Sequence, residues 1–142
     1  MKKIISLFSL ILLLSCVSNK KTISPNSLVE ILTEQENGGG NLHFYELISE
    51  RAEMSMLLND PNLKRKIKSD DIINSNFVVL SLGKKYSTGN SISISDVKEN
   101  DKNIEITVLE KETKTTKDSL TNPVYPYAVI KVNSKKTIVF KY

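Results

Sequence analysis

The chain has 142 residues, with 20 Lys and Arg against 16 Asp and Glu, and Lys2 and Lys3 supply half of its net charge of +4. Acids and bases are interleaved, as in Glu110-Lys111-Glu112 and Asp96-Val97-Lys98-Glu99. No single-sign stripe is therefore available to follow a phosphate backbone, and no nucleic acid partner is expected. One cysteine and one histidine exclude a disulfide framework and a multi-histidine metal site.

Residues 1–15 read as a secretory signal: Lys2 and Lys3, an apolar run from Ile4 to Leu14, and the small Ser15 before the cut. The run is far shorter than the roughly 20 residues a membrane-crossing helix needs. The cut site Leu13-Leu14-Ser15-Cys16 resembles the lipobox of bacterial lipoproteins, in which the cysteine sulfur takes a diacylglyceryl group and becomes the new N-terminus. The resemblance implies lipidation at Cys16, attachment to a membrane through that lipid, and a place in the bacterial cell envelope, with the outer membrane or cell surface favoured over the inner membrane. An ordinary signal ending near a cysteine is the alternative, and it would leave an unpaired thiol in an exported protein. Once Cys16 is acylated no thiol remains to act as a nucleophile.

Residues 16–26 are polar, with Lys20, Lys21 and Pro25, and predict a flexible tether. A single domain is expected over 27–142. Leu28 to Thr33 predicts a short strand, and Glu34 to Asn41, with three successive glycines, predicts a hairpin or a flexible loop. That loop lacks the spacing of a phosphate-binding loop. Leu42 to Ile48 predicts a strand in which His43 is an ordinary member. Ser49 is the predicted N-cap of a helix through Leu58, with Met54, Leu57 and Leu58 on one buried face. Asp60-Pro61 predicts a second helical stretch to Ile67, burying Leu63 and Ile67 and leaving Lys64, Arg65, Lys66 and Lys68 in water. Those four bases are the one place where contact with anionic lipid is considered. Asp70-Asp71 reads as a polar turn or cap before Ile72 rather than a carboxylate pair, because sequence neighbours tend to point apart.

From Phe77 the apolar period becomes two. Phe77 to Leu82 predicts a mostly apolar strand, Ile92 and Ile94 alternate with serines, and Ile104, Ile106 and Val108 alternate with Glu105 and Thr107. Two more strands are predicted over Tyr127 to Val132 and Thr137 to Tyr142. Short spacings without crossover helices argue for antiparallel pairing and against a parallel sheet. The fold class is mainly β (α+β): an antiparallel β-sheet or sandwich with one or two short helices packed early in the chain.

Four segments in this half resemble the PrcB C-terminal domain family: Phe77 to Gly83, the loop Ser87-Thr88-Gly89-Asn90-Ser91-Ile92, the strand Ile104 to Val108, and Pro126-Tyr127-Ala128-Val129-Ile130-Lys131-Val132. The resemblance extends over about residues 70–142. It implies a non-catalytic accessory or binding subunit of an envelope or surface complex, with a protein partner that is a protease or protease-associated. In that family the loop reads T-G-G-Y. Here Ser87 and Thr88 take the first two places, Gly89 the second glycine, and Asn90 stands for the aromatic residue. Partner contact is expected at Ser87, Thr88, Gly89 and Asn90, and at Pro123, Tyr125, Pro126 and Tyr127, where prolines hold two tyrosines. Tyr125 is the expected exposed anchor, and Tyr127 can equally start a strand and pack inward.

Two alternatives stay open. Ser87-Thr88-Gly89 is similar to the T-T-G loop of chagasin-type protease inhibitors, although the preceding Asn-Pro, the G-x-G-G loop and a tryptophan are missing. The other is a structural surface lipoprotein. No catalytic residue, metal ligand set or cofactor is predicted, and the chain is not expected to be an enzyme. For the anchor, metabolic palmitate labelling should be lost in Cys16→Ala. Equal labelling, or an alanine variant that stays with membranes after a high-salt wash, contradicts lipidation.

Overall fold

The structure is a computed structural model that describes residues 27–114 and 122–142; the signal, Cys16 and the tether lie outside the described residues. Among the described residues seven strands form two sheets. The first holds β1 (Val29–Gln35), β2 (His43–Ile48), β3 (Asn76–Leu82) and β6 (Tyr127–Val132) in the order β1-β6-β3-β2, antiparallel throughout. The second holds β4 (Ser91–Glu99), β5 (Asn103–Lys111) and β7 (Thr137–Lys141) in the order β4-β5-β7.

Both faces of the first sheet are covered, which is why β3 is an unbroken apolar run instead of an alternating one. All of its residues are buried. Val78, Leu80 and Leu82 join Ala128, Ile130 and Val132 of β6 against Ile92, Ile104, Ile106, Val108 and Ile138 of the second sheet. The opposite face, with Phe77, Val79, Tyr127 and Val129, packs on a helical layer that contributes Met54, Leu57, Leu63, Ile67 and Ile72. Ile31 and the next residue, Leu32, serve opposite cores as strand alternation requires, and a bulge between Ile31 and Thr33 shifts the pairing with β6 so that Thr33 lies opposite Val129. The result is three layers, mainly β, with the helical part early in the chain.

The helical layer is shorter than expected. A 3-10 turn (Arg51–Glu53) runs into α1 (Met54–Leu58), and the cap falls on Glu50 instead of Ser49. The Glu53 carboxylate accepts the backbone N–H groups of Ser49 and Glu50 at 2.9 and 3.0 Å, and these bonds hold its pKa below the usual value. Met54 and Leu57 are buried as expected, whereas Leu58, the last residue of α1, is 42% exposed. The stretch from Asp60 to Ile67 forms turns instead of a helix. Arg65 adopts φ +70°, a left-handed conformation that stops helix propagation. Leu63 and Ile67 still reach the core, and Lys64, Arg65, Lys66 and Lys68 are exposed. A 3-10 helix over Ser69–Ile73 follows, and Asp71 accepts the Lys68 N–H at its start, so this acid does cap before Ile72. Lys131 pairs with Asp71 at 3.2 Å, and the Lys135 ammonium donates to the carbonyls of Ser49 (2.8 Å) and Ile72 (3.2 Å), tying this layer to the sheet.

Two connections depart from the expected pattern. The glycine loop is not a hairpin: β1 and β2 are opposite edges of one sheet, so it crosses the ends of β6 and β3. And β5 pairs with β7 in parallel. No crossover helix is needed, because β6 makes the return journey within the other sheet and the turn after it delivers β7 alongside β5.

All strands run between two poles. Val29 is level with Val132 and Asn76 at one, and Gln35 with Tyr127 and Ser81 at the other. The chain arrives at Ser27 on the first pole, where the Asn133 amide donates to the Ser27 carbonyl at 2.9 Å. Among the described residues no helix is long and apolar enough to cross a membrane. Because Phe77 is wholly enclosed, Phe77→Ala should lower unfolding stability by about 3–5 kcal/mol. Ile73→Ala, at a site 59% exposed, should change it by less than about 0.5 kcal/mol, as read by urea denaturation.

Candidate functional site

The second pole gathers three loops: Glu36–Leu42 after β1, Gly83–Asn90 after β3, and Asn122–Pro126 before β6. Backbone bonds stitch them together. Lys85 and Val124 exchange reciprocal N–H···O bonds of 2.9 Å, the Gly39 N–H donates to the Tyr125 carbonyl at 2.9 Å, and the Leu82 N–H donates to that of Pro126 at 2.9 Å. Lys85 also pairs with Glu112 at 2.7 Å. Gly83 has φ +73°, and a Cβ there would meet the His43 nitrogen at 2.9 Å, so only glycine lets β3 leave past β2.

The loop of Ser87, Thr88, Gly89 and Asn90 is built around the asparagine. Asn90 is 2% exposed, its amide donates to the Ser87 carbonyl, and its carbonyl accepts the Thr113 N–H at 2.8 Å. The Ser87 hydroxyl donates to the Thr113 carbonyl at 3.0 Å. Gly89, at φ +78°, gives its N–H to the Glu36 carboxylate at 2.6 Å. Asn90 therefore holds the loop on the end of β5 and offers no contact surface, while Thr88 and Gly89 are exposed. Sequence alone cannot distinguish an asparagine that shapes a turn from one displayed by it.

The other candidates divide in the same way. Pro123 and Tyr125 are half-buried, whereas Pro126 and Tyr127 are buried. Tyr127 packs inward at the start of β6; its hydroxyl donates to Asp60 Oδ2 and accepts from the Asn62 amide, both at 2.9 Å. Burial is the main cause that raises its pKa, and the Asp60 bond and charge add to it. Tyr86, unremarked in the sequence, is 44% exposed, with the Lys84 ammonium 5.0 Å from its ring centre. Tyr86, and to a smaller degree Tyr125, raise the pKa of Lys84. Thr88, Gly89, Tyr86, Lys84 and Tyr125 thus form the outward surface of the pole.

A cleft of about 450 Å³ opens beside it, between the glycine loop, the helical layer and the first sheet. Further down one side, His43 Nε2 lies 2.5 Å from Glu110 Oε1, and the Tyr45 hydroxyl donates to the same oxygen. Burial pushes the Glu110 pKa up, but the bonds from Tyr45 and His43 and the charges of His43 and Lys85 outweigh it and leave it lowered. Burial and the Glu110 bond raise the Tyr45 pKa well above its usual value. Tyr45 also packs on Phe140 and Tyr142, so this group joins β2 to β5 and β7 across the sandwich. Among the described residues no three His, Cys, Asp or Glu side chains converge as metal ligands would.

The family model of the PrcB C-terminal domain matches residues 76–133. Over that stretch, from the first residue of β3 to the turn after β6, the chain is PrcB-like, as the sequence resemblance implies. The match is narrower than the 70–142 expected and stops before β7. It encloses both loops and the Lys85–Val124 bridge; the glycine loop and the helical layer fall outside it. No curated protein and no solved structure matches the chain. In a thermal or urea melt, Asn90→Ala should cost about 0.5–1.5 kcal/mol, since it removes the buried side chain that bonds Ser87 and Thr113. Thr88→Ala should stay within about 0.5 kcal/mol of the parent.

Proposed function

We propose that this chain is a lipid-anchored, non-catalytic accessory subunit of a bacterial envelope or surface complex, and that it binds a protease or protease-associated protein through the pole formed by its three loops. The observation that carries the reading is the combination of a PrcB-like stretch with the placement of its two loops. They are stitched into one surface at the end of the sandwich opposite Ser27, where the chain arrives from the expected anchor. A lipid on Cys16 would hold the domain from its Ser27 end and leave the loop pole available to a partner. Rigid strands that present an aromatic and cationic loop surface suit recognition, because little entropy is lost on binding. Lys84, Tyr86 and Tyr125 supply the amphipathic contact area typical of binding hot spots.

The test is recovery of the copurifying partner when the lipidated chain is isolated from its native envelope. Tyr86→Ala with Tyr125→Ala should keep the circular-dichroism melt within about two degrees, as partly exposed truncations usually do, yet recover markedly less partner. Undiminished recovery from the folded double variant contradicts the assignment of this surface. Inhibition of papain by the same protein would favour the chagasin-like alternative instead.

A further inference from the structure

The cleft beside the loop pole has one exposed wall kept open by a glycine that the backbone does not require. Gly38 and Gly39 are forced: a Cβ on either would come within 2.9 Å of Tyr127, and Gly38 also has φ +125°. Gly40 is different. A Cβ there would meet only Phe44 Cε1 at 3.6 Å, an ordinary contact, and its φ is not left-handed. What the missing side chain leaves free is space beside Phe44 in a cleft that Leu57 and Met56 also line, Met56 being 50% exposed. A half-exposed methionine on an apolar wall adapts to whatever packs against it.

The chemistry at the end of this space selects the occupant. Asp60 is the one ionisable acid or base among the lining residues with a formal charge at neutral pH. Its carboxylate is aimed by two donors, the Asn62 N–H at 2.8 Å and the Tyr127 hydroxyl at 2.9 Å. Among the described residues no lysine, arginine or histidine pairs with it, and the bases of the 64–68 turn do not line the cleft. A positioned carboxylate without a counter-ion, set against apolar walls, attracts a cation more strongly than one in open water. Lysine and arginine supply that cation on an apolar stem able to lie along such walls.

We propose that the cleft takes a short segment of the protein partner in which an apolar residue precedes an arginine or lysine, with the apolar side chain over Gly40 between Phe44 and Met56 and the cation at Asp60. The volume suits a pair of side chains and is in the range of ordinary ligand pockets. The inference rests on the reading of this chain as a partner-binding subunit, but its test does not need the partner.

The probes are two blocked dipeptides, acetyl-Leu-Arg-amide and acetyl-Leu-norleucine-amide, titrated into the full chain in non-ionic detergent with 13C-labelled methionine methyl groups. The Met56 methyl signal should shift and saturate, while buried Met54 serves as the internal control. The arginine peptide should bind about threefold more tightly than its uncharged counterpart, the scale of a partly screened ion pair. Asp60→Asn, which keeps an acceptor for Tyr127, should remove that preference, and Gly40→Leu should remove both responses by filling the space beside Phe44. Equal binding of the two peptides, an unmoved Met56 signal, or a Met56 shift that follows protein concentration without peptide, which would assign the cleft to a second copy, overturns the proposal. The comparison on the parent protein stands whether or not either variant folds. Peptide binding together with undiminished partner recovery from the Tyr86 and Tyr125 double variant would overturn the loop-surface reading alone, and the opposite pair of results would overturn the cleft alone.

Discussion

Burial of the first sheet on both faces is the constraint on which the molecule depends. β3 and β6 sit at its centre, and neither has a face to spare for water. One face requires the second sheet and the other requires the helical layer, so the described residues form three layers. The same arrangement fixes the poles. Strands that are level at Val29, Val132 and Asn76 must also be level at Gln35, Tyr127 and Ser81, and the loops that join them fall at one end or the other.

The poles are chemically unlike. At the first, side-chain bonds from Asn133, Lys135 and Lys136 bind the incoming chain, the helical layer and the β4–β5 turn into a closed end. At the second, backbone bonds between the three loops are joined by side-chain bonds from Ser87, Asn90 and Glu36, which leaves Lys84, Tyr86, Thr88 and Tyr125 with their side chains facing out or half out. The frame of this surface and its display are carried by different side chains: Asn90, Ser87 and Glu36 hold the loop, and Lys84, Tyr86 and Thr88 face outward from it.

The legible parts of this fold are those governed by local period. Tyr127 to Val132 forms the predicted strand to the residue, and Ile104, Ile106 and Val108 turn inward together as their alternation requires. What cannot be read depends on partners distant in the chain. Asp60-Pro61 is a good helix start, but Leu63 and Ile67 reach the core by turns, and the left-handed Arg65 has no mark in the sequence. Three glycines after a strand suggest a hairpin unless it is known that β6 and β3 lie between β1 and β2. Parallel pairing of β5 and β7 is invisible because the strand between them in sequence joins the other sheet. At the candidate site, both family loops are legible, but the direction of their side chains is not. The inward turn of Asn90 follows from Thr113, and that of Tyr127 from Asp60 and Asn62, each remote in sequence. Tyr86 could have been found as an exposed aromatic residue beside a lysine pair in a turn.

The central claim is that the pole of three loops, and not the end where the chain arrives, receives the partner. Hydrogen–deuterium exchange on the lipidated chain, alone and with its copurified partner, tests it most directly, because both poles are read in one experiment. The account predicts that partner binding slows exchange in 36–42, 83–90 and 122–127 and leaves 99–103 and 133–136 unchanged. Protection confined to 99–103 and 133–136 would contradict it.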